Sequence, residues 1–231
     1  MSHTIVALDF STYEETIEFL KQFHQPIYVK IGMELTYACG LDIVREIKEM
    51  GHKIFLDLKL HDIPNTVKGG MKNLAKLGVD IVNVHCAGGI EMMKAAIEGL
   101  ELGSEGGQRP LCIGVTQLTS TTKEAMNDEL LIPGEVIDCV LHYASNAKKA
   151  GLDGVVCSVH EAKQIHEVCG EDFLTVTPGI RLTDDSHDDQ KRVATPAYAK
   201  QMGADYIVVG RSITRSEDPK ATYSQIEEIM K

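Results

Sequence analysis

A chain of 231 residues with 43% hydrophobic and 25% charged residues has the balance of a folded globular protein with a sizeable core. Its 34 acidic and 23 basic side chains give a net charge of −11, which argues against tracking a nucleic-acid backbone or an anionic membrane, since both bind clustered cations. No stretch approaches the roughly 18 apolar residues of a membrane span, and the 6 cysteines, without a C-x-x-C pair, read as reduced thiols.

In chain order, the first strand is predicted over Thr4–Phe10. Asp9 interrupts this apolar run before a signal-peptide core could form, so the expectation is a soluble, cytoplasmic protein. Helical periodicity over Thr12–Phe23 leads to a strand at Ile27–Ile31, and Leu35–Met50 to one at Lys53–Leu58. Thr66–Leu77 then precedes the strand Asp80–His85, and Ile90–Leu100 the strand Leu111–Val115. Gly134–Ala150, His160–Val168, Gln190–Met202 and Pro219–Lys231 are the remaining helices, with strands at Gly154–Ser158, Leu174–Thr177 and Tyr206–Val209. Glycines at 51, 78, 151 and 203 follow four of these helices, where a left-handed residue stops a helix cheaply.

Near-continuous apolar strands alternating with amphipathic helices imply a parallel sheet covered by helices. Eight units in this length fit a single-domain (β/α)8 TIM barrel over residues 1–231. A doubly wound open sheet would alternate in the same way, but Asp9-Phe10-Ser11-Thr12 stands where its Gly-rich turn belongs.

Barrel enzymes carry their reactive side chains at the C-terminal ends of strands. Here those ends hold Asp9, Lys30, and then Asp57 and Lys59, followed by Asp62. Strand alternation points Asp57 and Lys59 the same way, with Phe55, into the barrel. Alternating signs on neighbouring strands permit mutual pairing, which offsets the desolvation of buried charge. The plainer readings are a rim ion pair for Asp57–Lys59, a solvated Lys30, and a helix cap for Asp62 ahead of Pro64.

At the other end of the chain, Thr177-Pro178-Gly179-Ile180-Arg181 and Val209-Gly210-Arg211-Ser212 follow strands seven and eight. Such loops bind phosphate through backbone N–H groups, and Arg181 or Arg211 would add a forked cation. The polar segment between them, 182–190, is either a solvated acidic loop or a lid that carries Gln190 to the phosphate. No metal-binding histidine spacing occurs; His61 and His85 are read as structural, and no cysteine stands in a nucleophile's context.

Together these segments resemble the orotidine 5′-monophosphate decarboxylase family, in its compact bacterial form without a fused transferase domain. The central match is D-x-K-x-x-D, Asp57-Leu58-Lys59-Leu60-His61-Asp62, continuing into Ile63-Pro64-Asn65-Thr66. Ala7-Leu8-Asp9, Val29-Lys30-Ile31-Gly32, Val115-Thr116-Gln117-Leu118-Thr119-Ser120 and the two glycine–arginine turns extend it across nearly the whole chain.

The resemblance implies conversion of orotidine 5′-monophosphate to UMP and CO2, with neither metal nor organic cofactor, in a homodimer with shared sites. It implies Lys59 as the proton donor to C6, within a network of Lys30, Asp57 and Asp62. Asp62 and Thr66 would reach the neighbouring subunit's site. Asp9 and Lys30 would hold the ribose hydroxyls, and Thr119 the pyrimidine. Gln190, Gly210 and Arg211 would hold the phosphate, with Arg181 at its border. Sister Mg²⁺-dependent barrels, the hexulose-phosphate synthases and keto-gulonate-phosphate decarboxylases, share D-x-K-x-x-D but carry an acidic metal ligand in place of Lys30. A phosphate sensor on a decayed barrel is the non-catalytic alternative, and the intact charge set argues against it.

Overall fold

Short runs rich in Val and Ile form the strands of a computed structural model that describes residues 3–182 and 194–231. They are β1 (Thr4–Ala7), β2 (Tyr28–Gly32), β3 (Lys53–Leu60), β4 (Ile81–His85), β5 (Leu111–Val115), β6 (Gly154–Val156), β7 (Leu174–Ile180) and β8 (Tyr206–Val209). Each pairs in parallel with its sequence neighbour, and β8 returns to β1 to close an eight-stranded barrel. The predicted (β/α)8 architecture is therefore the observed one.

Strand alternation sorts the apolar side chains into two layers. Ile5, Tyr28, Phe55, Ile81, Ile113, Val176 and Val208 fill the barrel interior. Their neighbours Val6, Val29, Ile54, Val82 and Ile207 point outward against the helices. Full burial of such a side chain contributes roughly 2 kcal/mol, so the helical shell and the barrel hold one another.

The shell comprises α1 (Tyr13–Leu20), α2 (Met33–Cys39), α3 (Asp42–Glu49), α4 (Pro64–Ala75), α5 (Gly89–Gly103), α6 (Val136–Ala150), α7 (Val159–Cys169), α8 (Pro196–Gln201), α9 (Arg211–Thr214) and α10 (Pro219–Met230). The single helix expected over Leu35–Met50 is two, because Gly40 at φ 74° ends α2 and lets the chain turn into α3. Gly51, Gly78, Gly151 and Gly203 all take positive φ, as helix-stop glycines should. The helix expected from Gln190 begins, among the described residues, at Pro196 behind the cap Thr195. The first strand ends at Ala7 rather than Phe10. A π-turn at Ala125–Glu129 and a 3-10 turn at Cys86–Gly88 have no periodicity to announce them. All six cysteines are free thiols. Among the described residues, no helix is long and apolar enough to cross a membrane.

The N-terminal face of the barrel carries a repeated device. Asp80, Asp153 and Asp205 each precede an even-numbered strand and accept the N–H of a residue opening the odd strand before it: Ile54, Cys112 and Thr175, at 2.8, 2.7 and 2.7 Å. A second side chain meets each carboxylate: Lys48 at 2.7 Å, Arg109 at 2.6 Å and His166 at 3.2 Å. Strand starts that would otherwise leave orphan donors are thereby satisfied, which leaves the opposite face for chemistry.

Candidate active site

At the C-terminal rim, strand register brings four charged side chains into one row. Ala7 pairs with Lys30 across β1 and β2, and Gly32 with Asp57 across β2 and β3. Lys30 Nζ lies 3.0 Å from Asp9 Oδ1 and 3.6 Å from Asp57 Oδ2, while Lys59 Nζ lies 2.6 Å from Asp57 Oδ1. The signs therefore alternate along Asp9, Lys30, Asp57 and Lys59.

Burial and charge oppose each other here, and charge prevails at both inner groups. Burial works to lower the pKa of Lys30, but the Asp9 and Asp57 carboxylates outweigh it and hold the pKa above that of an ordinary lysine. Burial works to raise that of Asp57. Lys30 and Lys59, with hydrogen bonds from Lys59 and Asn83, hold it below the ordinary carboxylate value. Both groups are thus ionised at neutral pH, and neither is an uncompensated buried charge.

Lys59 reaches this row by an irregular backbone. Between β3 and β4 the register steps from Leu56↔Val82 to Leu60↔Val84, so a longer stretch of β3 faces a shorter one of β4. Within that bulge Lys59 adopts φ 52°, a left-handed conformation that costs a lysine about 1–2 kcal/mol. Alternation anticipated the direction of Asp57 and Lys59, but not the bulge that carries Lys59. Asn83 supports it: Oδ1 of Asn83 accepts from the Lys59 N–H at 2.7 Å, and Nδ2 donates to Asp57 Oδ1 at 2.7 Å.

Asp9, Lys30, Asp57 and Lys59 line a cavity of about 310 Å³ with Phe55, Val156 and Val208. That volume falls in the range of small-molecule sites. Thr119 lies in the lining with Gln117 and Ser120, and the cationic end is built from Gly179, Arg181, Gly210 and Arg211. Gly179 sits at φ 82° beside a register shift between Thr177 and Ile180, a bend that glycine accommodates without strain. Arg181 is steadied by donation to the carbonyl of Ile180 at 3.0 Å, and Gly210 caps α9, whose first residue is Arg211.

Of the residues singled out in the sequence, Asp9, Lys30, Asp57, Lys59, Thr119, Arg181, Gly210 and Arg211 thus meet around one cavity. Asp62 and Thr66 do not line it: both are exposed, at the loop and first turn leading into α4. Asp62 is not a cap, because α4 begins behind Ile63 without a side-chain cap bond. Its Oδ1 instead accepts from the adjacent Ile63 N–H at 2.6 Å. Gln190 and the rest of the expected lid after Leu182 lie outside the described residues. His61 and His85 pack ring to ring at 5.6 Å, outside the cavity lining. Among the described residues, no group of three or more His, Cys, Asp or Glu side chains could hold a metal ion.

Sequence reading missed Asn83, and it named Gln117 and Gly32 only within the segments of the resemblance, without a role. An asparagine inside the apolar run Ile81-Val82-Asn83-Val84 was the available signal for the first. A methyl group on Gly32 would crowd Lys30, which gives that glycine its reason.

Comparison with known proteins agrees with this geometry. The model of the Orotidine 5′-phosphate decarboxylase / HUMPS family matches residues 2–226. The chain is 60% identical over 226 residues to a protein of Lysinibacillus sphaericus named orotidine 5′-phosphate decarboxylase, covering 97% of each. It is 58% identical over 227 residues to one of that name from Listeria monocytogenes, covering 98% of this chain and 97% of the other. Among solved structures, orotidine 5′-phosphate decarboxylase from Lactobacillus acidophilus superposes with a TM-score of 0.90 at 43% identity, covering 100% of this chain and 99% of that one.

Proposed function

The chain belongs to the orotidine 5′-phosphate decarboxylase family, and from that premise we propose that its cavity converts orotidine 5′-monophosphate to UMP and CO2. The enzyme is a carboxy-lyase of pyrimidine biosynthesis. The observation that carries the reading is the row Asp9–Lys30–Asp57–Lys59 in the lining of one cavity with the arginines that suit a phosphate.

Arg211 and the Gly210 backbone hold the phosphate, with Arg181 at its border, and Gln190 is a further phosphate ligand. Asp9 and Lys30 hold the ribose hydroxyls, and Thr119 the pyrimidine. This places C6 of the ring beside Lys59. When the C6–carboxylate bond breaks, CO2 departs and the electron pair stays on C6, in the ring plane and poorly delocalised. The Lys59 ammonium stabilises charge that develops only in the transition state and then transfers its proton to C6. Asp57 orients that ammonium at 2.6 Å.

The family also includes Mg²⁺-dependent barrels, and Lys30 separates this chain from them. An ammonium held between Asp9 and Asp57 occupies the space a divalent ion would need and repels it.

A homodimer with shared sites belongs to the same proposal. Asp62 lies beside Ile63, which is 67% exposed, and Tyr37 on α2 is 79% exposed. An uncovered large apolar side chain next to a functional carboxylate, and another on α2, suit a surface that a second copy covers. Asp62 and Thr66 then complete the partner's site. The whole chain works as one catalytic barrel, in the cytoplasm.

The test is loss of orotidine 5′-monophosphate absorbance with purified protein, with and without a chelator. Turnover unaffected by chelation supports the reading; no loss of absorbance, with or without added Mg²⁺, would overturn it.

A further inference from the structure

Asn83 is 1% exposed and lies two residues beyond Ile81, whose side chain belongs to the barrel-interior cluster. The interior cluster to which Ile81 belongs is apolar, and a buried amide beside it is costly unless both ends are bonded. Both are. Oδ1 accepts from the Lys59 N–H and Nδ2 donates to Asp57 Oδ1, each at 2.7 Å. Chemistry fixes this orientation, because the N–H can only donate and the carboxylate can only accept. Asp57 Oδ1 is also the atom that Lys59 Nζ meets at 2.6 Å. One side chain therefore grips Lys59 at both ends: at its backbone directly, and at its ammonium through Asp57.

The bulge leaves Lys59 between the paired positions Leu56 and Leu60, at φ 52°, and its N–H goes to Asn83 rather than into the β3–β4 ladder. We infer that Asn83 is a positioning residue: it holds the left-handed backbone of Lys59 and the carboxylate of Asp57, so that the ammonium points at the reacting carbon. The inference rests on the reading of the site given above and extends it to a residue outside the cavity lining. Substrate binding through phosphate and ribose does not depend on this grip, whereas delivery of the ammonium does.

The experiment compares Asn83→Ala and Asn83→Asp with the unaltered protein, by steady-state decarboxylation, UMP binding and circular dichroism. Asn83→Ala should lower kcat by about a hundredfold, the scale of a misplaced catalytic group, with UMP affinity little changed. Asn83→Asp keeps an acceptor for the Lys59 N–H but sets a second carboxylate against Asp57. Two such groups share a proton, and the protonated oxygen restores the missing donor. Its kcat relative to the unaltered protein should therefore rise as pH falls. A folded Asn83→Ala protein with unaltered kcat, or equal losses in kcat and UMP affinity, would overturn the inference. A pH-independent ratio for Asn83→Asp would do the same, as would failure of both variants to fold, which assigns Asn83 to stability alone. No turnover in the unaltered protein would remove the reading of the site itself, and the inference with it.

Discussion

Gly32 leaves the space that the Lys30 ammonium occupies: a Cβ at Gly32 would stand 2.9 Å from Lys30 Nζ. The backbone there, at φ −96°, is open to any residue, so the need for glycine lies in the ammonium and not in the chain. Gly32→Ala should therefore fold normally while pushing Lys30 off the line between Asp9 and Asp57. We expect kcat/KM to fall about tenfold, equivalent to about 1.4 kcal/mol, with an unchanged melting temperature. Steady-state kinetics and a thermal melt decide it, and unchanged kcat/KM would show that Lys30 does not need this place.

Arg211 is expected to act on the phosphate. Arg211→Ala should weaken binding of UMP far more than binding of uridine, because only UMP carries the charged oxygens. Phosphate binding remote from the reacting carbon can also lower the barrier, so kcat falls too. Calorimetry with both ligands is the measurement; equal losses would place Arg211 elsewhere.

The ionised pair at the centre predicts a particular pH dependence of stability. Burial raises the pKa of Asp57, but the two lysines overcome it, and the folded value lies below the ordinary 3.8. Its contribution is then fully present above that ordinary value and lost as pH falls through the folded one. The pKa of Lys30 is raised above 10.5 despite burial, so its contribution is present below 10.5 and lost as pH rises through the folded value. The stability advantage over Asp57→Asn in denaturant melts should be level from about pH 5 to about pH 9 and shrink below about pH 4. An advantage that grows on acidification would contradict the pairing.

Much of this was legible in the sequence, for identifiable reasons. Apolar strands alternating with helical periods gave the barrel, because both faces of a parallel sheet are buried. Unlike charges at successive strand ends gave Asp9, Lys30, Asp57 and Lys59, because strand ends fall on one rim. The break at Gly40 was hidden by helical periodicity running through it on both sides. Asn83 was hidden because its partners, the Lys59 N–H and Asp57, come within reach only through a register shift that strand alternation does not encode. Asp62 and Thr66 had motif spacing but no place in the cavity of a single chain.

Sharing of sites between subunits is tested by mixing two inactive variants. In a mixed dimer of Lys59→Ala and Asp62→Ala chains, one site receives both lesions and the other none. Random exchange makes about half the dimers mixed and leaves half of their sites intact, so about a quarter of the original activity should return. Confirmed mixed dimers without recovery would show that Asp62 does not complete the partner's site.

The central claim is that the Lys59 ammonium stabilises and then protonates C6. Its most direct test is single-turnover decarboxylation of orotidine 5′-monophosphate by Lys59→Ala, with circular dichroism and UMP binding confirming an intact fold and cavity. Each 1.36 kcal/mol of lost transition-state stabilisation costs about tenfold, and both the cation and the proton source are removed. The account predicts a rate lower by several orders of magnitude with UMP still bound; a folded Lys59→Ala protein decarboxylating near the original rate would contradict it.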